Sequence, residues 1–238
     1  MKKYFIFFDV GQTLVNEQNF FSYLDKAMIE VLAGYGTKID LRNLQAIKYN
    51  VIKNRLSGNG GLSELILEMC RLLRPEYYAP IILGKLEKEI AYGKANFLQL
   101  YDDTIHTLSK LSANNNGLGI ISNQERGAIN ILESKGVESY FEFAVYSSDL
   151  RLKKNDLKLF KYAIERANKI PSECLMVGDR LDLDILPANR LGMKTIRVTN
   201  SLFKLQQPLN DLEIPNFTVS KLAEIPAIVN ELETDSQC

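Results

Sequence analysis

The stretch Phe5-Ile6-Phe7-Phe8-Asp9-Val10-Gly11-Gln12-Thr13-Leu14-Val15 sets four bulky apolar residues in a row and stops on a carboxylate. An unbroken apolar run of this kind reads as a strand buried on both faces, and Gly11 with the polar pair after it marks a tight turn. Asp9 is therefore expected at the carboxyl edge of a sheet, where open α/β folds bind their ligands. An Asp in such a place also serves as a helix N-cap or a turn residue. The choice between these roles depends on the rest of the chain.

Beyond Val15 the apolar spacing turns helical for roughly eighty residues. Phe20, Leu24, Ala27, Met28, Val31 and Leu32 mark a first helix, stopped by Gly34 and Gly36. Asp40 caps a second run with Leu41, Leu44, Ile47, Val51 and Leu56, which ends at Ser57-Gly58-Asn59-Gly60-Gly61. A third carries Leu62, Leu65, Ile66, Met69, Leu72 and Leu73 up to Pro75, and a fourth follows Pro80 to about Asn96. A crossover between parallel strands needs one helix, so four in succession read as an inserted helical bundle.

Strand and helix then alternate. Asp103 is expected to cap a helix with Ile105, Leu108 and Leu111, and Leu118-Gly119-Ile120-Ile121 to form a strand ending on Ser122-Asn123. A helix over Gln124 to Lys135 stops at Gly136, and a strand follows near Phe143 to Tyr146. Lys153-Lys154-Asn155-Asp156 precedes a helix with Phe160, Ala163, Ile164 and Ala167. The strand Cys174-Leu175-Met176-Val177 stops at Gly178-Asp179, Asp184 opens a helix that Gly192 closes, and Thr195 to Val198 is a further strand. A short strand near Phe217 to Val219 and a helix from Lys221 to about Leu232 complete the alternation, with the last residues frayed.

Composition narrows the function classes. With 46% hydrophobic and 24% charged residues the chain matches an ordinary globular protein. Its 29 basic and 29 acidic residues cancel without long runs of either sign, which argues against nucleic acid and acidic membranes as partners. The first apolar run is broken too early, at Asp9, for a signal peptide, and no later run is long enough to span a bilayer. Cys70, Cys174 and Cys238 are odd in number and far apart, suiting neither a disulfide framework nor a zinc site. A cytoplasmic protein with reduced thiols, monomeric or homodimeric, is expected. His106, the only histidine, falls on a helix away from strand ends and is expected at the surface.

The opening stretch resembles motif I of the haloacid dehalogenase-like hydrolases, an apolar strand followed by D-x-D-x-T, with Asp9 and Thr13 matching and Gly11 replacing the second acid. Later segments resemble the remaining motifs in order. Ser122 matches motif II, Lys154 matches the motif III lysine with Lys153 as the alternative, and Gly178-Asp179-Arg180-Leu181-Asp182-Leu183-Asp184 matches G-D-x-x-x-x-D. The resemblance covers residues 1–15 and about 98–234. It implies an α/β fold: a Rossmann-like core with a mainly parallel sheet (1–15 and 97–238) and an inserted α-helical cap of the C1 type (16–96), which closes over the site and carries specificity.

What the resemblance implies chemically is a magnesium-dependent phosphatase acting on a small phosphorylated metabolite through an aspartyl-phosphate on Asp9. Lys154 is implied to steady nucleophile and phosphoryl group, and Gln12, Thr13, Ser122 and Asn123 with Lys154 to bind phosphate. Asp9, the Gly11 carbonyl, Asp179 and Asp184 are implied as the magnesium site. Those residue types suit phosphoryl transfer, since an anionic nucleophile nears an anionic ester only where cations offset the repulsion, and magnesium takes hard oxygen ligands while keeping several waters. Gly11 withholds the general acid, worth about 10² to 10⁴-fold. Family branches without that acid include haloacid dehalogenases and phosphonate hydrolases, the latter using a cap lysine to form a Schiff base, for which Lys26, Lys38, Lys48 and Lys53 are equal candidates. A non-catalytic phospho-ligand binder is the rival from another class.

Overall fold

The computed structural model describes residues 4–73, 78–123 and 130–235. The expected helix start at Gln124, Pro75 and the C-terminal Cys238 lie outside the described residues. By contact density the chain resolves into two compact units, one of Met1–Asn16, Gln99–Lys204 and Pro208–Cys238, the other of Glu17–Leu98 with Leu205–Gln207.

The first unit is a layered α/β structure. Its strands are β1 (Phe5–Phe8), β4 (Gly117–Ser122), β5 (Phe143–Tyr146), β6 (Cys174–Gly178), β7 (Lys194–Val198) and β8 (Phe217–Val219). Among the described residues they form one six-stranded sheet in the order β5-β4-β1-β6-β7-β8, with every pair parallel. β1 is central because all four of its residues are apolar and buried, and a strand with two covered faces belongs in the middle. From β1 the chain moves to β4 and β5 on one side, then returns to β6 and continues to β7 and β8 on the other. The crevice at the carboxyl ends of β1 and β6, where direction reverses, is the expected ligand position.

One face of the sheet packs Phe5, Phe7, Ile121, Val145 and Met176 against Leu159, Phe160 and Ala163 of α8 (Leu157–Arg166). The Phe5 ring lies 4.8 Å from Phe7 and 5.3 Å from Phe143, and it occupies the space a side chain at Gly119 would need, 2.8 Å from such a Cβ. The remaining helices of this unit are α5 (Thr104–Ala113), α6 (Asn130–Ser134), α7 (Ser147–Leu150), α9 (Leu186–Leu191) and α10 (Ile225–Asp235). Two short strands, β2 (Val15–Asn16) and β3 (Gln99–Leu100), pair antiparallel where the helical segment leaves and re-enters.

The second unit is α-helical: α1 (Gln18–Gly34), α2 (Leu41–Lys53), α3 (Leu62–Leu72) and α4 (Ala79–Phe97). Phe20, Leu24, Met28 and Leu32 are buried along α1 at four-residue spacing, one stripe of an amphipathic helix. Asp40 caps α2 by accepting the Asn43 N–H at 2.8 Å. Asp25 on α1 and Lys48 on α2 form a buried ion pair of 2.7 Å, supported by Gln45 Nε2. The unit starts at 17 rather than 16 because Asn16 pairs with Gln99, and it reaches 98 because α4 continues to Phe97. Arg55 donates to the Gln207 carbonyl at 2.9 Å, within the same unit.

Several local expectations differ from what forms. Pro80 sits inside the first turn of α4, where its missing N–H costs nothing. Asp103 makes no cap hydrogen bond to α5; its Oδ2 accepts the Ala223 N–H at 2.9 Å. Helical structure after Asp179 begins at Leu181, as a π-helical turn through Ile185, before α9. Cys174 is a buried core residue and His106 is exposed. No described helix is long and apolar enough to cross a membrane.

Candidate active site

Asp9 follows β1 directly, and its N–H donates to the Val177 carbonyl at 2.9 Å, which holds it beside the end of β6. Asp179 follows β6 after Gly178. Asp184 comes from the π-helical turn, in which the N–H groups of Asp184 and Ile185 both donate to the Arg180 carbonyl at 3.0 and 3.2 Å. That turn folds Asp184 back so that its Oδ2 accepts the Arg180 N–H at 2.9 Å. A Cβ on residue 178 would lie 2.3 Å from the Asp184 carboxyl carbon, so glycine is what leaves the carboxylate its place.

Lys154 projects from the segment preceding α8 and is 2% exposed, whereas Lys153 is exposed. Its Nζ pairs with Asp9 Oδ1 and lies 2.5 Å from Asp184 Oδ1. The lysine is aimed by its backbone, whose N–H donates to Asn123 Oδ1 at 3.2 Å. Carboxylate oxygens of Asp9, Asp179 and Asp184 all lie within 4.8 Å of one another. Asp179 receives a side-chain hydrogen bond from Ser201, and its Oδ2 is buried with no hydrogen-bond partner among the described residues.

Three carboxylates cluster where one ammonium pairs with two of them, Asp9 and Asp184. Burial, then the Asp184 and Asp9 carboxylates, push Asp179 well above the usual carboxylate range. Burial pushes Asp184 up to about 6, against the opposing pull of Lys154. Burial lowers Lys154, but Asp184 and Asp9 outweigh it and hold the ammonium charged. The surplus negative charge is what a hard cation would relieve, and a buried carboxylate oxygen without a donor is what it would bind.

A pH effect on stability is expected from this. Acids whose folded pKa is raised bind more protons folded than unfolded, so their contribution is full below the ordinary carboxyl value and is lost as pH rises through the folded value. For Asp184 that loss runs through about 6, and Asp179 is shifted in the same direction. A divalent cation held by these carboxylates would need both groups ionised, so a rise in melting temperature on adding magnesium is expected to be larger near about pH 7.5 than near about pH 5.5. Melts in chelator and in magnesium at both values measure it; equal shifts would show that these carboxylates do not meet the cation.

The other expected site residues fall at the same edge with different partners. Ser122 ends β4 and is fully buried. Thr13 Oγ1 is buried without a hydrogen-bond partner among the described residues. Asn123 is engaged with Lys154, and Gln12 Oε1 accepts the Leu202 N–H at 2.6 Å. Positive φ in the turn after β1 falls on Gln12 (+55°) and not on Gly11. Arg197 and Ser201 enter the site although neither belongs to a recognisable motif. For Arg197 the available signal is a guanidinium inside the buried strand Thr195-Ile196-Arg197-Val198, since an arginine there needs partners. It donates to the carbonyls of Asp179 (3.4 Å) and Phe203 (2.9 Å).

Fold and site together define a Rossmann-like α/β enzyme built round a carboxylate cluster at the switch point of a parallel sheet. The chain belongs to the haloacid dehalogenase-like hydrolases, whose family model matches residues 6–198; it is a hydrolase of that family. A glyceraldehyde 3-phosphate phosphatase of Methanocaldococcus jannaschii is 29% identical over 237 residues, covering 97% of this chain and 98% of the relative. The pyrimidine 5'-nucleotidase YjjG of Escherichia coli is 27% identical over 231 residues, covering 96% and 99%. Among solved structures, magnesium-bound YfnB of Bacillus subtilis superposes with a TM-score of 0.72 at 21% identity, covering 97% of this chain and all of that one.

Proposed function

We propose that this hydrolase cleaves small soluble phosphomonoesters, with Asp9 as nucleophile and a magnesium ion held by Asp9, Asp179, Asp184 and the Gly11 carbonyl. The observation that carries it is the gathering of Asp9, Asp179 and Asp184 carboxylate oxygens within 4.8 Å of one another, with Lys154 paired to Asp9 and Asp184 and with Asp179 Oδ2 buried and without a hydrogen-bond partner among the described residues. Three hard oxygens at one point fit magnesium, which when bound would withdraw charge from the phosphoryl oxygens. Asp9, the more exposed partner of its ion pair at 14% against 2% for Lys154, attacks phosphorus and forms an acyl-phosphate as the ester oxygen leaves. Lys154 neutralises the approach of two anions. Water then cleaves the acyl-phosphate and restores the carboxylate. The two full-length relatives, acting on a triose phosphate and on nucleotides by their names, support substrates of this size.

The phosphonate branch fits less well. Lys48 is buried against Asp25, and Lys26, Lys38 and Lys53 are exposed, whereas a Schiff-base lysine needs an environment that depresses its pKa. With glycine at 11, the leaving oxygen departs without a positioned acid. Aryl and acyl phosphates should therefore be hydrolysed much faster than alkyl phosphates, and Gly11→Asp should speed alkyl substrates selectively, toward about 10²-fold. Phosphate release from matched esters, in magnesium and in chelator, is the test. Activity unaffected by chelator would reject the cation; a flat leaving-group dependence in the chemical step would reject the account of Gly11.

A further inference from the structure

The segment leaving β7, residues 199–204, is fastened to the catalytic edge at several points. Tyr101 Oη donates to the Asn200 carbonyl at 2.5 Å, and the Leu202 N–H donates to Gln12 Oε1 at 2.6 Å. Arg197 donates to the Phe203 carbonyl at 2.9 Å, and the Arg180 guanidinium lies 4.7 Å from the centre of the Phe203 ring. Between these ties sits Ser201. Its Oγ accepts the Phe203 N–H at 3.0 Å, which leaves its own proton to donate, and the acceptor is Asp179.

Gln12 is the tie that joins this segment to the turn carrying the nucleophile. It is 7% exposed and sits at φ +55°, a left-handed conformation that residues with a side chain adopt only at a cost. Glycine would take that conformation without penalty. What glutamine adds is an acceptor of the length needed to reach a backbone N–H 190 residues later.

We infer that Gln12 is a positioning residue for the cation site: through Leu202 it fixes residues 199–204 so that Ser201 donates to Asp179 and leaves Asp179 Oδ2 facing a divalent ion. The inference rests on Asp179 as a cation ligand and extends that proposal to Gln12 and Ser201, which lie outside the carboxylate cluster. Gln12 and Ser201 act in series, so removing either should release the same constraint.

The test is Mn2+ binding to the full chain without substrate, followed by loss of the free-ion paramagnetic resonance signal. Gln12→Leu removes the acceptor and keeps the side-chain bulk; Gln12→Gly removes the acceptor and relieves the backbone. Both should weaken Mn2+ by about three- to tenfold, the worth of one hydrogen bond, with Gln12→Gly melting no lower than wild type. Ser201→Ala should weaken it similarly, and the double variant should bind no more weakly than the worse single one. Wild-type affinity in Gln12→Gly, or additive losses in the double variant, would overturn the inference. Asp179→Ala separates this from the underlying proposal: if it binds Mn2+ like wild type, the cation assignment itself fails.

Discussion

Asp9→Asn is expected to remove turnover while leaving the fold intact. The amide preserves the side chain's shape beside Val177 and Lys154 but cannot form an acyl-phosphate. Deleting a covalent nucleophile from a hydrolase costs on the order of 10⁶-fold in kcat, so activity should fall to background. Melting should change little, because Asp9 is only partly buried and Lys154 keeps Asp184 as partner. Single-turnover trapping of phosphorylated protein from a 32P-labelled ester distinguishes the step: wild type should carry label and the variant none. A folded Asp9→Asn protein with substantial turnover would transfer the nucleophile's role elsewhere.

Lys154→Met should damage stability and chemistry together. The ammonium is 2% exposed and stands between Asp9 and Asp184, so its loss leaves buried carboxylates without their counter-charge. Breaking a buried pair by removing one partner costs about 3 to 5 kcal/mol, and at this chain length each kcal/mol lowers Tm by roughly 2 to 4 °C. Part of that loss should return on adding magnesium, which stabilises by binding the folded state alone. Turnover should not return, since the approach of two anions then lacks the lysine. A variant that melts like wild type would reduce the Lys154 pairs to incidental contacts.

The central strands β1, β4 and β6 were legible because strands buried on both faces appear as nearly unbroken apolar runs, and each of these runs ends within one residue of its strand. Asp9, Ser122 and Asp179 were visible for the same reason, as the first polar residues beyond Phe8, Ile121 and Gly178. Lys154 was separable from Lys153 only through its motif spacing, and its burial gives that spacing a physical meaning. The two-residue strands β2 and β3 carry too short a pattern to register. Ser201 and the acceptor role of Gln12 were invisible, because the tie runs to a backbone N–H, which leaves no mark on residue type. The π-helical turn at 181–185 escaped for a related reason: one extra residue per turn shifts Asp184 without changing composition.

The central place of β1 has a consequence for how the chain is made. Phe5 to Phe8 leave the ribosome well before their partners, residues 117–120 on one side and 174–177 on the other. Until β4 and then β6 emerge, this aromatic strand has no ladder to join, while helices α1 to α4 have partners among themselves within residues 18–97. Non-local parallel pairing is slow, and unpaired apolar strands invite association with other chains. The aromatic run that leads to Asp9 is thus a stretch of the nascent chain open to association with other chains until residues 117–120 and 174–177 have been made.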